Sequence, residues 1–204
     1  MKTFLKIFSS LEKKLVKINK SKKRKLVITI SGEAGVGKTT VGKILSSYFD
    51  SKLYNIGDKQ RNFAKKRKIS LETTAKSLPQ KVDFSADMEC LESVIKGGAV
   101  LVGRLTGLVA GSWADCRVLV TCKMRARAGR LAKKLKIPFH QAEEKIRLRD
   151  KRDKERYKAI YGIDPLAKKI YNLTIDNTRL TFEELKEISI KKTKIWLKKT
   201  KNKK

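Results

Sequence analysis

Eight consecutive residues, Gly32-Glu33-Ala34-Gly35-Val36-Gly37-Lys38-Thr39, satisfy the pattern G-x-x-x-x-G-K-[ST]. The pattern constrains the fold because it works only between a buried strand and the start of a helix. Both neighbours are present. Residues 26–31 are a short apolar run that predicts a strand, and residues 39–48 predict a helix. Glycines at 32, 35 and 37 let the backbone wrap tightly and aim its N–H groups at phosphate oxygens. The helix start adds the positive end of its dipole. Lys38 has the reach to touch β- and γ-phosphates, and the Thr39 hydroxyl is a ligand for Mg²⁺. The candidate nucleotide site is therefore Gly32, Glu33, Ala34, Gly35, Val36, Gly37, Lys38 and Thr39, with Thr40 beside them. ATP and Mg²⁺ are the expected cofactors.

The rest of the chain supplies a sheet for this loop. Residues 52–55, 99–103, 117–121 and 171–175 predict further strands, separated by helical stretches. Residues 58–97 read as helical, with Pro79 opening a new segment, and 124–161 as helical with a break at Pro138. Thr181-Phe182-Glu183-Glu184 matches a capping box that starts a last helix. Strands alternating with helices predict a parallel five-stranded sheet covered on both faces, an α/β fold. With 204 residues, the chain has room for one well-cored domain. Its expected limits are 26–185, with a basic extension over 1–25 and the end of the last helix plus a Lys-rich tail over 186–204.

Missing motifs narrow the class. The D-x-x-G and N-K-x-D strings of guanine-nucleotide switches do not occur. The third predicted strand ends Leu101-Val102-Gly103-Arg104 and the fourth Thr121-Cys122, without the metal-binding Asp of motor ATPases. Ile175-Asp176 imitates that Asp only at the last strand, where a turn is expected. A compact kinase of small acceptors remains.

Charge is the outlier in the composition. Fifty-one Lys and Arg face 20 Asp and Glu, a formal net charge of +31. The ends are richest: residues 1–25 hold ten Lys/Arg against one Glu, and 186–204 nine Lys against one Glu. Such ends suit a nonspecific polyanion contact, or are solvated surface lysine. Phe4, Phe8, Leu11, Leu15 and Ile18 recur at steps of three and four, one apolar face of a helix. Packing on the body is the commoner fate of such a face, and a membrane surface the other. No stretch reaches the ~20 apolar residues of a membrane span. Three cysteines and one histidine cannot build a zinc site, and reduced thiols fit the cytoplasm. A monomer is expected.

Phosphoryl transfer spreads negative charge over equatorial oxygens, so its catalysis is positioning plus cationic stabilisation. Arg149, Arg152 and Arg156 fall at i, i+3 and i+7 on one helical face, with Asp153 on that face too. Arg127 and Arg130 form an i, i+3 pair on the preceding helical region. Two arginine-bearing helices joined by a lysine-rich turn predict a short lid over about 125–156 that excludes water.

The run Arg149-Asp150-Lys151-Arg152-Asp153-Lys154-Glu155-Arg156-Tyr157, followed by Tyr161-Gly162-Ile163-Asp164, resembles the lid-to-last-strand region of archaeal-type cytidylate kinases. So do Gly57-Asp58-Lys59-Gln60-Arg61 and Gly103-Arg104-Leu105-Thr106-Gly107. With the phosphate loop, the resemblance covers about residues 26–180. It implies a nucleoside monophosphate kinase fold with a helical acceptor-binding insertion over about 58–97. It also implies transfer of the ATP γ-phosphoryl group to CMP or dCMP.

By the same resemblance, Arg61 and Arg104 hold the acceptor phosphate, with Asp58 and Gly107 from the same strings at the acceptor site. Arg127, Arg130, Arg149, Arg152 and Arg156 supply lid and phosphoryl contacts, and Asp153 orients the acceptor or a lid arginine. The D-G-F-P-R segment of adenylate kinases is absent, which favours the cytidylate branch. Leu105 stands where bacterial cytidylate kinases carry an acidic residue that helps read the base. Asp83 and Asp87 are carboxylates able to accept from the cytosine amino group, or else exposed helix residues. Adenylate or broad-specificity UMP/CMP kinases are the nearer alternatives, and a phosphate-loop RNA- or ribosome-binding protein the more distant one.

Overall fold

The computed structural model describes residues 25–57, 62, 80–162 and 164–201. The amphipathic segment 4–18, Asp58, Arg61 and residues 202–204 lie outside the described residues, as does the side chain of Asp83. Five strands form one parallel sheet: β1 (Val27–Ser31), β2 (Lys52–Asn55), β3 (Ala99–Val102), β4 (Cys116–Thr121) and β5 (Leu173–Asp176). Their order across the sheet is β2-β3-β1-β4-β5. The chain therefore leaves β1 toward one edge, returns, and crosses over β1 to finish at the other. In open parallel sheets such a reversal leaves a crevice at the carboxyl ends of the strands. Here β1 opens directly into the phosphate loop at that point.

The two faces of the sheet are read from alternate residues of its central strands. Ile28 and Ile30 of β1 join Val100 and Val102 of β3 and Val118 and Val120 of β4 on one face. Val41, Ile44 and Leu45 of α1 (Lys38–Tyr48) cover them, with Leu185 of α6 (Phe182–Lys201). Val27, Ala99 and Leu101 face the other way, against Cys90, Leu91 and Val94 of α2 (Gln80–Lys96) and Val109 of α3 (Thr106–Ala110). Tyr157 of α5 (Phe139–Tyr161) closes that side. Each such fully buried aliphatic side chain contributes about 1.5–3 kcal/mol. α4 (Met124–Leu135) and α5 pack on each other and are joined by Lys136-Ile137-Pro138. That is the break expected at Pro138.

Two local features differ from the sequence reading. The last strand begins at Leu173, not at 171, because the Tyr171 N–H is taken by the Lys168 carbonyl at 3.0 Å and closes a short turn. Tyr171 donates its hydroxyl to the Pro165 carbonyl at 2.6 Å, and Asn172 Oδ1 accepts the Arg117 N–H at 2.8 Å. α3 is a five-residue helix with no apolar periodicity to announce it. α6 continues to Lys201, so residues 186–201 form the end of the last helix. Ser189 and Thr193 are fully buried on it, and Trp196 donates its indole N–H to the Asp115 carbonyl at 3.1 Å. The capping box forms as read: the Thr181 N–H is bonded to Glu184 Oε2 at 2.8 Å, and the Glu184 N–H returns to Thr181 Oγ1.

α1 approaches β3 closely at Gly42, where a Cβ would lie 2.4 Å from Val102 Cγ2 and 3.1 Å from Leu53 Cδ1. Gly42→Ala should therefore lower the thermal midpoint, although alanine favours a helix over glycine by about 1 kcal/mol. Overpacking against the stiff, buried Val102 costs about 1–3 kcal/mol and outweighs that gain. A midpoint at or above wild type in a thermal melt would show that α1 backs away from the sheet freely.

Candidate active site

The phosphate loop is held from three sides. Val36 is fully buried in the core, so its side chain anchors the loop, leaving only its backbone for a nucleotide. The Val36 carbonyl accepts from Asn177 Nδ2 at 2.9 Å, just beyond β5. Gly37, at φ 97, adopts a left-handed conformation, and a Cβ there would lie 2.4 Å from Asn177 Nδ2. Only glycine meets both demands. Lys38 curls back to donate its ammonium to the Glu33 carbonyl at 2.5 Å. α1 has neither a side-chain cap at its N-terminus nor an acidic residue in its first turn. Its positive end is thus left for a ligand anion.

Arg127 is the third brace. Only 2% exposed, it donates Nε to the Ala34 carbonyl at 2.7 Å and Nη1 to Glu33 Oε2 at 2.7 Å. Its Nη2 reaches both oxygens of Asp150 on α5, at 2.9 and 2.7 Å. This guanidinium ties the loop to α5. Arg130 stands one turn on, donating to the Asn177 carbonyl at 2.6 Å and to Cys122 Sγ at 3.4 Å.

A cleft of about 800 Å³ runs from the phosphate loop to the ends of β2 and β3. Gly35, Lys38, Thr39 and Thr40 line one side, and Gly103, Arg104 and Tyr157 the other. Arg127, Arg130 and Arg149 line it from α4 and α5. Arg104 leaves the end of β3 to form an ion pair with Asp153, which is buried on α5. Burial lowers the Arg104 pKa below the ordinary guanidinium range; the charges of Tyr157 and Asp150 oppose the shift, and Arg127 and Arg156 add to it. Arg152 and Arg156 are half-buried on the same face of α5, outside the cleft lining. The Arg156 guanidinium lies 5.4 Å from the centre of the Tyr157 ring. The predicted face Arg149, Arg152, Asp153 and Arg156 is therefore the inward side of the helix.

Gly107 is set back from the cleft. Its N–H is bonded to Ser31 Oγ at 2.9 Å, and a Cβ there would meet the Tyr171 ring at 2.5 Å. The Thr106 hydroxyl lies 3.2 Å from Ser31 Oγ and donates to the Ile30 carbonyl at 3.1 Å. The acceptor-side loop is thus fastened to the last two residues of β1, immediately before the phosphate loop. Asp176 accepts from the Thr178 N–H at 3.0 Å in a local turn, as its place at the last strand suggested. Among the described residues no cluster of three His, Cys, Asp or Glu side chains forms a metal site. Thr39 is exposed on the cleft wall. One hydroxyl and ligand phosphates suit a hard cation that keeps most of its waters, as Mg²⁺ does.

Several residues of this site carried no motif. Asp150 and Asn177 find their partners only through packing, and Ser31 reads as one more strand residue. Tyr157 and Tyr161 had a usable signal: they lie four and eight residues beyond Asp153, on the same helical face.

A phosphate loop opening from β1 into a cation-lined cleft, on a five-stranded parallel sheet, defines a phosphate-loop kinase of small acceptors. The model of the cytidylate kinase-like family matches residues 27–179. The chain belongs to that family. It is 32% identical over 161 residues to the cytidylate kinase of Staphylothermus marinus, covering 78% of this chain and 91% of that one. It is 35% identical over 159 residues to the cytidylate kinase of Pyrococcus horikoshii, covering 77% and 82%. Among solved structures the fold is similar to an uncharacterized protein from Eubacterium ventriosum, with TM-score 0.63 and 16% identity over 82% of this chain and 97% of that one. It is also similar to shikimate kinase from Acinetobacter baumannii, with TM-score 0.56 and 16% identity over 86% and 94%.

The brace at Arg127 predicts a specific loss. Arg127→Lys keeps the charge but cannot bond Ala34, Glu33 and Asp150 together. Stability should fall by about 2 kcal/mol, and ATP affinity about tenfold by titration calorimetry. Wild-type affinity together with a wild-type melting point would show that the loop is held without this fork.

Proposed function

We propose that the chain transfers the γ-phosphoryl group of ATP to CMP, and to dCMP, giving ADP and the corresponding diphosphate. One observation carries this reading. A phosphate loop on one wall, and Arg104 with Arg149 and Tyr157 of α5 opposite, line one cleft. Such an arrangement brings two phosphorylated ligands end to end, as in-line transfer requires. The family and its relatives named cytidylate kinase support CMP as the acceptor.

In this reading Gly32, Gly35 and Gly37 cradle the β- and γ-phosphates of ATP, and Lys38 swings from the Glu33 carbonyl onto them. Mg²⁺, when bound, neutralises phosphate charge, and Thr39 is the residue that would hold it. Arg104 takes the acceptor phosphate, with Arg61, Asp58 and Asp83 of the insertion assisting. Asp153 keeps Arg104 oriented until the acceptor arrives. Arg130, Arg149 and Arg152 supply positive charge to the transferring group, and Arg156 lends charge from the acceptor side. No protein base is needed, because the attacking phosphate oxygen is already ionised. Closing α4 and α5 over the cleft excludes water, which would otherwise accept the phosphoryl group.

The working unit in this reading is a monomer. Free thiols at Cys90, Cys116 and Cys122 fit the reducing cytoplasm. No helix among the described residues is long and apolar enough to cross a membrane. The exposed lysines of α6, such as Lys191, Lys194 and Lys198, support nonspecific contact with polyanions.

The test is ADP release measured across the common nucleoside monophosphates. CMP should be the best acceptor, and Lys38→Ala should lower kcat by about 10²–10³-fold while leaving the melting point unchanged. Comparable turnover by Lys38→Ala and wild type would remove this loop from the mechanism.

A further inference from the structure

Seven cationic side chains line the cleft, and among the described residues one carboxylate does: Asp87 of α2. It is no exposed helix residue. It is 6% exposed and accepts the Tyr161 hydroxyl at 2.6 Å. A carboxylate repels phosphates, so in a cleft built for them it faces another part of the ligand. Its place along the cleft says which part. Asp153, which holds Arg104, and Tyr161, which holds Asp87, are eight residues apart on α5, or about 12 Å along the helix. The two intervening turns carry Tyr157, also on the cleft wall, with its ring centre 6.2 Å from that of Tyr161. A nucleotide whose phosphate lies at Arg104 would present the edge of its base near Asp87.

Resting on the reading of the cleft as a CMP site, we propose that Asp87, oriented by Tyr161, is the residue that selects the base by its exocyclic amino group. An ionised carboxylate accepts hydrogen bonds and donates none. The amino group of cytosine offers it a donor. In uracil that group is a carbonyl, which would face the carboxylate oxygen to oxygen, while the neighbouring ring nitrogen gains a proton. The Tyr161 hydroxyl donates to Asp87 Oδ2 and fixes its rotamer. Tyr161 is thus a positioning residue and Asp87 the reader.

Asp87→Asn keeps the shape and offers one donor and one acceptor, the complement of the uracil edge. The experiment measures kcat/KM for CMP and UMP, and equilibrium binding of both, on the full chain as wild type, Asp87→Asn and Tyr161→Phe. Wild type should prefer CMP in both readouts. In Asp87→Asn the CMP-to-UMP ratio should collapse by about a hundredfold or more, and in Tyr161→Phe by about tenfold. Titration with a non-hydrolysable ATP analogue reports that the donor side of each variant is folded. If Asp87→Asn does not fold, the ratio in Tyr161→Phe decides alone. An active wild-type kinase whose CMP-to-UMP ratio is the same in the folded variants would overturn the assignment of Asp87 and leave the kinase reading standing. A chain that binds CMP over UMP, loses that preference in Asp87→Asn, and phosphorylates nothing would refute the kinase reading and uphold Asp87 as the reader of the base.

Discussion

Arg127 sits almost wholly out of water, with its charge shared between Glu33 of the phosphate loop and Asp150 of α5. Desolvating a guanidinium costs several kcal/mol, and the cost is offset only where the fork is matched by several acceptors. Here the acceptors are two carboxylates and the Ala34 carbonyl. Because they belong to the loop and to α5, the loop cannot move far without breaking bonds to that helix. The two sides of the cleft are therefore mechanically linked before any ligand arrives. Glu33 is partly solvated, so its share of the pairing is screened, and Asp150 is the stronger anchor.

The carboxyl end of β1 supplies the other linkage. Ser31 is the last residue of the strand and touches both sides of the site. Its backbone continues into the phosphate loop, and its hydroxyl receives the Gly107 N–H of the acceptor-side loop. A parallel sheet whose order reverses at β1 makes this possible, since β3 and β4 flank that strand and both end beside it. Asn177 repeats the arrangement from β5 by bonding the Val36 carbonyl. The rigidity of the loop thus comes from strand ends and not from the glycines, which only permit its path.

Along the second half of α5 the basic residues are sorted by type. On α5, Lys151, Lys154 and Lys158 are exposed, whereas Arg149, Arg152 and Arg156 are half-buried toward the body. Arginine suits the inner face because its planar group is weakly hydrated and bonds in several directions, while an ammonium holds its water tightly. Among the described residues, the carboxylates of Asp150 and Asp153 hold two such guanidinium groups, those of Arg127 and Arg104, in place.

Much of this was legible along the chain. The phosphate loop, the alternation of strands and helices, the break at Pro138 and the inward face of α5 rest on local rules: backbone freedom at glycine, the period of a helix, and capping. Those rules act within a few residues and survive whatever the rest of the chain does. The partners of Arg127, the bond from Ser31 to Gly107, the brace at Asn177 and the burial of Asp87 against Tyr161 join residues far apart in the chain. A short helix such as Thr106–Ala110, or a strand starting at Leu173, likewise depends on which neighbour takes each backbone group. Whether an arginine reaches solvent, a carboxylate or a phosphate is set by what the packed sheet places beside it, because a charge is stable only where its desolvation is compensated.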